Sequence, residues 1–270
     1  MTADAFYRIT ALPAVLALSA CGGGGGAEGS LYMQPGVTGD TVLSEDNAEI
    51  YYSGTSSDPS ALTMAVGGRI FEFDESSGAT LTQSGGFIRA VAADGTNGWF
   101  DLRRPGVVNG RVRTTTAQDG PFNDDLFYVG VSGYRTEAMP TGRVAFYRGQ
   151  SLGYLYTPSA DQIKTTRSDV QMTVLFDDRE MSFVSDNGVT FHPDTGTRST
   201  NSLDLSGVLA IEGGRFSGAL SGPGDTGEIG MVTGHFYGPD AESAGGVFSY
   251  DYGTYAGAAS FSAGDLAIPD

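Results

Sequence analysis

The single cysteine of the chain, Cys21, lies in a sequence context that predicts a covalent modification. It follows Leu18-Ser19-Ala20 at the end of the apolar run Ile9–Ala20, and Arg8 precedes that run. The run is shorter than the ~20 residues that a membrane-spanning helix needs, and it fits the apolar core of a secretory signal, typically ~7–15 residues. Small residues before a cysteine are typical of the cleavage site of bacterial lipoproteins. In these proteins the new N-terminal thiol carries a diacylglyceryl group.

An ordinary secretory signal followed by an unmodified cysteine is the alternative interpretation of this segment. A lone thiol is unusual in an exported protein, and lipidation of Cys21 would account for it. Palmitate and the other acyl chains of a mature lipoprotein would make the attachment durable, since each buried CH₂ contributes ~0.8 kcal/mol. Gly22, rather than aspartate, follows the cysteine, which by the usual sorting rule favours the outer membrane. We therefore expect a lipid-anchored protein of the bacterial outer membrane.

Other residues with chemical potential occur in patterns that turns explain better. Asp194-Thr195-Gly196 and Asp225-Thr226-Gly227 are two D-T-G triplets, but neither has the flanking residues of the aspartic protease pair. The two histidines, His192 and His235, show no metal-ligand spacing, although His235 stays a candidate haem ligand. The segment 94–98 resembles a calcium loop without its terminal glutamate. We expect no bound metal, no resident cofactor and no enzymatic activity.

The charge of the chain excludes a class of partner. It has 32 acidic and 15 basic side chains, a net charge of −17. A nucleic acid requires clustered cations, and an anionic lipid surface would repel so acidic a domain. Nucleic acid is therefore excluded as a partner, and we expect any membrane contact to depend on the lipid anchor.

Short segments with alternating apolar and polar residues predict an all-β fold. The chain has 41 glycines, 13 tyrosines and 15 phenylalanines, and Asn-Gly and Asp-Gly pairs predict tight turns at Asp94-Gly95, Asn109-Gly110 and Asn187-Gly188. The stretch 157–167 is predicted to be a loop. Many short strands at this spacing favour an antiparallel sandwich or barrel. The predicted strands are 48–53, 61–66, 69–73, 86–92, 98–102, 110–115, 126–131, 142–148, 152–157, 169–176, 180–184, 202–211, 214–220, 228–237, 245–250 and 255–262.

Composition divides the chain into a signal peptide, a tether and two β-rich units. Residues 1–20 are the predicted signal, and 21–36 are a glycine-rich tether that we expect to be flexible. The first β-rich unit is 37–137, the second is 138–264, and 265–270 form a C-terminal tail.

The second unit resembles the β-barrel domain of the transferrin-binding protein B family of surface lipoproteins. The most specific match is to the signature G-x-F-Y-G-P-x-A-E-x-x-G-G-x-F, with weaker matches at 140–149, 172–179 and 214–218 in the same order. His235 departs from the family, which has glycine there. We expect the Gly-Pro pair of the motif to start a single helical turn and the Gly-Gly pair to begin a strand. The matching residues, which are structural in the family, are Gly234, Phe236, Tyr237, Gly238, Pro239, Ala241, Glu242, Gly245, Gly246 and Phe248.

The resemblance implies both a fold and a function. It implies an eight-stranded antiparallel β-barrel at 138–264, preceded by a smaller handle-like domain at 37–137. It implies a non-catalytic, surface-exposed lipoprotein that binds a protein or a protein-borne nutrient, related to iron or haem, through loops of a β scaffold. An outer-membrane translocator and a TonB-dependent receptor are further candidate partners. The alternatives are a carrier of haem or another small ligand, and a structural lipoprotein of the envelope.

Overall fold

The computed structural model describes most of the chain from residue 27 onward, and these residues form strands almost throughout. Within the described ranges there are nineteen strands and one short 3₁₀ turn at Glu75–Ser77. The all-β fold class is therefore confirmed. The described residues are 27–33, 42–44, 48–66, 69–84, 86–104, 106–114, 127–157, 162–191, 198–200, 204–224 and 227–266.

The strands fall into two groups, β1–β10 and β11–β19, which form separate sheets. Those of the first group are β1 (Ala27–Met33), β2 (Val42–Ser44), β3 (Glu49–Thr55), β4 (Asp58–Val66), β5 (Arg69–Asp74), β6 (Thr80–Ser84), β7 (Phe87–Val91), β8 (Asn97–Asp101), β9 (Val107–Arg113) and β10 (Phe127–Gly133). Those of the second are β11 (Val144–Thr157), β12 (Gln162–Leu175), β13 (Glu180–Phe191), β14 (Arg198–Thr200), β15 (Leu205–Glu212), β16 (Arg215–Leu220), β17 (Gly230–Tyr237), β18 (Ser243–Asp251) and β19 (Ala256–Asp265).

The second group is a closed, antiparallel barrel of eight strands. Its hydrogen-bonded order is β12-β11-β19-β18-β17-β16-β15-β13, and a further pairing of β12 with β13 closes the ring. The short β14 pairs with β13 outside this ring. Closure leaves no unpaired edge in the ring. The eight-stranded barrel that the resemblance implied is confirmed.

The barrel interior is filled by the inward-facing side chains of its strands. Val170, Met172 and Val174 alternate into it from β12, as the apolar pattern of that strand predicts. Aromatic rings occupy the middle, where the centroids of Phe216 and Phe236 lie 5.4 Å apart. An eight-stranded barrel is just wide enough for side chains to fill it, so this interior is a packed core.

The first group, called the handle below, contains two sheets that share one core. The larger has the order β2-β1-β10-β9-β8-β7-β6, and the smaller is β3-β4-β5. Phe73 of the small sheet packs edge-to-face on Phe100 of the large one, with ring centroids 5.7 Å apart. This core uses one face of the large sheet, so its opposite face is available for contact with the barrel.

Two Asn-Gly pairs do not form the turns that the sequence predicts. Asn109 and Gly110 lie inside β9, and the turn expected there is wrong. At Asn187-Gly188 the register of β13 against β12 skips, and Asn187 has φ +53°. The pair is therefore a β-bulge within a continuous strand, which uses the same positive φ that a turn would need. At Asp94-Gly95 the expected turn is confirmed by Gly95, which has φ +88° and donates to Ala92 O.

Two further stretches differ from the sequence prediction. From Gln162 onward, the predicted loop at 157–167 is strand β12, which pairs residue for residue with β11. Its threonines and Ile163 fit a paired strand, because β-branched residues favour pleated, half-buried positions. Ala27–Met33, placed in the flexible tether, is β1, and it covers the edge of β10. The remaining tether residues and the signal peptide lie outside the described residues.

Among the described residues, no helix has the length and apolar character needed to cross a membrane.

Candidate functional site

The handle and the barrel meet along an apolar seam. Strands β1, β9 and β10 of the handle pack against β17, β18, β19 and β11 of the barrel. The buried side chains at the contact come from both sides, and the rings of Phe127 and Tyr154 meet edge-to-face with centroids 4.7 Å apart. The seam joins the two units through packing of the kind found in a domain core. The buried members are Val107, Phe127, Val129 and Val131 from the handle, and Tyr154, Tyr237, Val247 and Ala258 from the barrel.

A buried polar network crosses the same seam. Asn109 is fully buried and donates from Nδ2 to the carbonyl oxygen of Ser260 at 3.3 Å. Ser262 Oγ donates to Asn109 Oδ1 at 2.8 Å, and Ser260 Oγ donates to Gly110 O at 2.8 Å. Buried polar groups are costly unless they are paired, so these bonds fix how the two units dock.

Arg111 is the most unusual residue of the seam because its charge is buried. Only 5% of its surface is exposed, and Nη1 donates to the carbonyl oxygens of Gly153 and Thr166 in the barrel, at 2.9 and 2.8 Å. Its guanidinium lies between the rings of Trp99 and Tyr154, with Cζ 5.8 and 5.5 Å from their centroids. Burial, with a smaller effect of Arg167, lowers the pKa of Arg111 to about 10.

The motif glycines permit the close packing around β17. A Cβ on Gly234 would lie 2.3 Å from Gly245 O and 2.4 Å from the ring of Phe216. A Cβ on Gly245 would meet the side chains of Val131 and Val107 across the seam, at 2.9 and 3.0 Å. These positions need glycine for lack of space. One of them sets the approach of the handle to the barrel.

The Gly-Pro pair of the motif begins a turn, without the helical turn that the sequence predicts. Gly238 has φ +85° and Ala241 has φ +57°, and Ala241 N donates to Gly238 O at 3.4 Å. Glu242 Oε2 accepts from Asp240 N, and Tyr147 Oη donates to the carbonyl oxygen of Ala241 at 2.5 Å. The positive φ of Ala241 interrupts a helical path, so only one turn forms before β18.

The same turn is bonded to the handle. Gly238 N donates to Tyr134 O at 2.8 Å, and Thr136 Oγ1 donates to Gly238 O at 2.7 Å. Tyr237 is fully buried, and burial raises the pKa of its hydroxyl. The motif within the barrel thus also positions the handle.

A row of arginines and aromatic rings borders the open side of the seam. Arg89, Trp99 and Arg111 face each other across β7, β8 and β9. Arg103 of the handle and Arg167 of the barrel both stack on Phe87 of the handle. Their Cζ atoms lie 4.3 and 5.6 Å from the centroid of its ring. Asp101 is fully buried and binds Arg103 through both carboxylate oxygens, at 2.7 and 2.6 Å.

The outer face of the small sheet is a second exposed surface, with the opposite charge. Tyr51 and Ile70 are 41% and 67% exposed there, beside Glu49 and Glu72. Tyr51 Oη donates to Glu49 Oε2 at 2.6 Å. This bond, partial burial and the repulsion from the Glu49 charge raise the pKa of Tyr51 to about 12.

The chemical candidates from the sequence are dispersed or lie outside the described residues. His235 is half-buried on β17, with Arg215 and Gly245 as its cross-strand neighbours. Cys21, His192 and the Asp194 triplet lie outside the described residues. Among those described, no three histidine, cysteine, aspartate or glutamate side chains are close enough to hold a metal ion.

Among the described residues, side chains of the barrel strands fill most of the barrel interior. A cavity of about 10 Å³ lies beside a chain of three hydrogen-bonded serine hydroxyls. The Oγ of Ser168 lies 2.6 Å from that of Ser151 and 2.6 Å from that of Ser185. That volume holds about one water molecule. Within the described residues, the outer surface and the seam therefore offer more room for a ligand than the barrel interior does.

The sequence prediction does not include Asn109 and Arg111 among the candidate site residues, because the Asn-Gly pair predicts a turn. Asn109, Arg111 and Arg113 nevertheless alternate with apolar or small residues. That period of two is the signal for a strand and could have placed all three side chains on one face.

Comparison with known proteins identifies relatives of the barrel. The family described as "C-lobe and N-lobe beta barrels of Tf-binding protein B" matches residues 139–265. Comparison with curated proteins found no match.

Solved structures agree with this match. A single mutant of the transferrin binding protein B of Haemophilus parasuis Hp5 is 16% identical, with a TM-score of 0.53 over 87% of this chain and 44% of that one. A double mutant of the same protein is 17% identical, with a TM-score of 0.51 and the same coverages. The chain thus spans less than half the length of these structures, and at such identities the likeness shows the fold alone. Residues 139–265 form a closed eight-stranded barrel, carry the motif from Gly234 to Phe248 and match the family description, and they therefore belong to the β-barrel family of transferrin-binding protein B.

Proposed function

We propose that the chain is a lipoprotein of the bacterial outer membrane, displayed at the cell surface, that binds a protein or a protein-borne nutrient without catalysis. The observation that carries the proposal is the match of residues 139–265 to the barrels of transferrin-binding protein B. An iron- or haem-carrying protein is the first candidate ligand, by analogy with the proteins after which that family is named.

The anchor in this proposal is the thiol of Cys21. The apolar run Ile9–Ala20 would direct export, and cleavage before the cysteine would leave the thiol as the lipid attachment point. The segment 22–26 would separate the folded units from the membrane, because a glycine-rich chain behaves as a flexible coil. Display at the surface would require a translocator, and ligand delivery would require a TonB-dependent receptor.

Binding through the outer surface is supported by how the two units are built. The barrel interior is occupied by its own side chains, which favours surface contact over a ligand carried inside the barrel. The buried network at Asn109 and Arg111 holds the handle against the barrel. A ligand that touches both units would therefore meet a preorganised surface, which lowers the cost of binding.

Affinity capture tests the proposal. The full-length acylated chain, held in detergent micelles, is incubated with host fluid or native lysate from iron-limited growth, and bound proteins are quantified by mass spectrometry. The same chain after heat unfolding is the control. We expect one protein enriched in about equimolar amount by the folded chain only. Equal enrichment by the unfolded chain would contradict the proposal.

A further inference from the structure

The open side of the seam has a charge opposite to that of the rest of the molecule. The chain carries a net charge of −17 and has 15 basic residues. Five of these lie together along this seam, namely Arg89, Arg103, Arg111, Arg113 and Arg167. Asp101 is the acidic partner of Arg103. Among the described residues, no carboxylate forms an ion pair with Arg89, Arg111 or Arg167.

The buried charge of Arg111 adds to this local excess of positive charge. Its Nε is buried and has no hydrogen-bond partner among the described residues. No described carboxylate forms an ion pair with it. A buried and unpaired charge costs stability, and Arg167 nearby increases that cost, since it contributes to the lowered pKa of Arg111. An anion placed against this arginine row would offset the repulsion.

Partly buried apolar side chains lie beside the arginines of the seam. Trp99, the only tryptophan of the chain, is half-buried between Arg89 and Arg111 in the register of β7, β8 and β9. On the barrel side, Ile163 is also half-buried and packs against the apolar part of the seam. Arg89 is exposed and Arg167 is half-buried, and neither forms an ion pair among the described residues. The guanidinium of Arg89 is thus open to a ligand, whereas that of Arg167 stacks on Phe87 and is only partly exposed.

We propose that this surface, the arginine cleft formed by Arg89, Trp99, Arg113, Ile163 and Arg167 above the buried Arg111, binds an acidic segment of a protein partner. The inference rests on the proposed function and names the partner's chemistry. Guanidinium groups pair with carboxylates through two parallel hydrogen bonds, and arginine, tryptophan and tyrosine are the residue types that dominate protein–protein hot spots. The half-buried Trp99 and Ile163 would take apolar side chains between the carboxylates. Arginines interleaved with apolar side chains favour a peptide over an anionic membrane, because lipid headgroups carry no apolar groups between their charges.

The cleft contains its own probe, because the emission of Trp99 reports on that site alone. The full-length acylated chain in detergent micelles is titrated with a hexaglutamate peptide, with hexalysine, and with phosphatidylglycerol added to the same micelles. We expect a saturable change in Trp99 emission with hexaglutamate only. The variant Arg89→Glu should weaken that affinity by about tenfold, because it replaces an attraction by a repulsion, and the double variant Arg89→Glu with Arg167→Glu should weaken it further.

Arg69→Glu is the matched control, since Arg69 is exposed on β5, in the small sheet. It makes the same change in net charge, so it should alter the affinity by no more than about twofold through screened long-range effects. No saturable response to hexaglutamate, an equal loss in Arg69→Glu, or a response to phosphatidylglycerol instead would overturn the inference. Capture of a protein ligand that is unchanged in the double variant would also overturn it, while the proposed function would stand.

Discussion

Nη1 of Arg111, in the handle, donates to the carbonyl oxygen of Gly153, in the barrel, at 2.9 Å. The bond crosses the seam within a buried site, where an unmade hydrogen bond is costly. It therefore acts with the Asn109 network to hold the large sheet of the handle against the barrel. Among the described residues, strand pairing joins the two units only at one isolated bridge. A surface built from both units depends on this contact.

Removal of Arg111 should destabilise the protein. In Arg111→Ala the carbonyl oxygens of Gly153 and Thr166 lose their donor and a gap opens between Trp99 and Tyr154. Relief of the buried charge offsets part of this loss, so we expect a net decrease of about 2 kcal/mol in the free energy of unfolding. Chemical denaturation measures it, with the exposed Arg69→Ala as the control. Equal stability of the two variants would show that the bond contributes nothing.

The glycine at 234 should not tolerate a methyl group. In Gly234→Ala the new Cβ would lie 2.3 Å from Gly245 O, and backbone must move to make room. We expect a loss of about 3 kcal/mol or more, or failure to fold. Met231→Ala, on the exposed face of the same strand, should change stability by less than ~0.5 kcal/mol.

A graded variant keeps this prediction measurable if Gly234→Ala does not fold. In Gly245→Ala the new Cβ would lie 2.9 and 3.0 Å from the side chains of Val131 and Val107 and 3.0 Å from Phe261 O, which is a milder overlap than at Gly234. Its loss of stability should lie between those of the other two variants. A wild-type melting curve for Gly245→Ala would refute the claim of close packing at the seam.

The protein should lose stability as the pH rises above the ordinary tyrosine pKa of ~10. Burial raises the pKa of Tyr147, Tyr154, Tyr237 and Tyr250, so the folded state keeps protons that the unfolded state releases. Stability from these groups is complete below pH ~10 and decreases above it. Arg111, with its lowered pKa, acts in the opposite direction, but it is one group against four.

Absorbance of tyrosinate at alkaline pH, recorded with circular dichroism, measures this effect. The buried tyrosines should ionise only together with unfolding, whereas exposed ones ionise earlier. Ionisation of all tyrosines near pH 10 in a protein that stays folded would be inconsistent with the buried positions described.

The thiol of Cys21 should be the site of lipid attachment. Cells grown with radiolabelled palmitate should label the wild-type chain, and Cys21→Ser should remove the label because serine cannot form the thioether. Ser30→Cys added to Cys21→Ser restores a thiol away from the cleavage site and should stay unlabelled. Palmitate in the Cys21→Ser chain would exclude this cysteine as the anchor.

The sequence predicted the barrel well because alternation and motif agree there. Val170, Met172 and Val174 point inward as their period of two indicates, and Gly234 to Phe248 matched a specific signature. The site was less predictable. Asn109-Gly110 has the composition of a turn, which competes with the strand period of Asn109 and Arg111, and pairing with β8 and β10 decides for the strand. The contacts of Asn109 to Ser260 and Ser262 are tertiary. Local propensity carries no information about a partner that lies some 150 residues away in sequence.

The most direct measurement of the central claim, that this chain acts by binding a protein at the cell surface, is saturation binding of the captured protein to intact cells. We expect about one ligand per accessible chain, with binding lost when the gene is deleted and restored by the wild-type chain. Binding that is unchanged by the deletion, with the chain protected from protease added outside the cells, would contradict it.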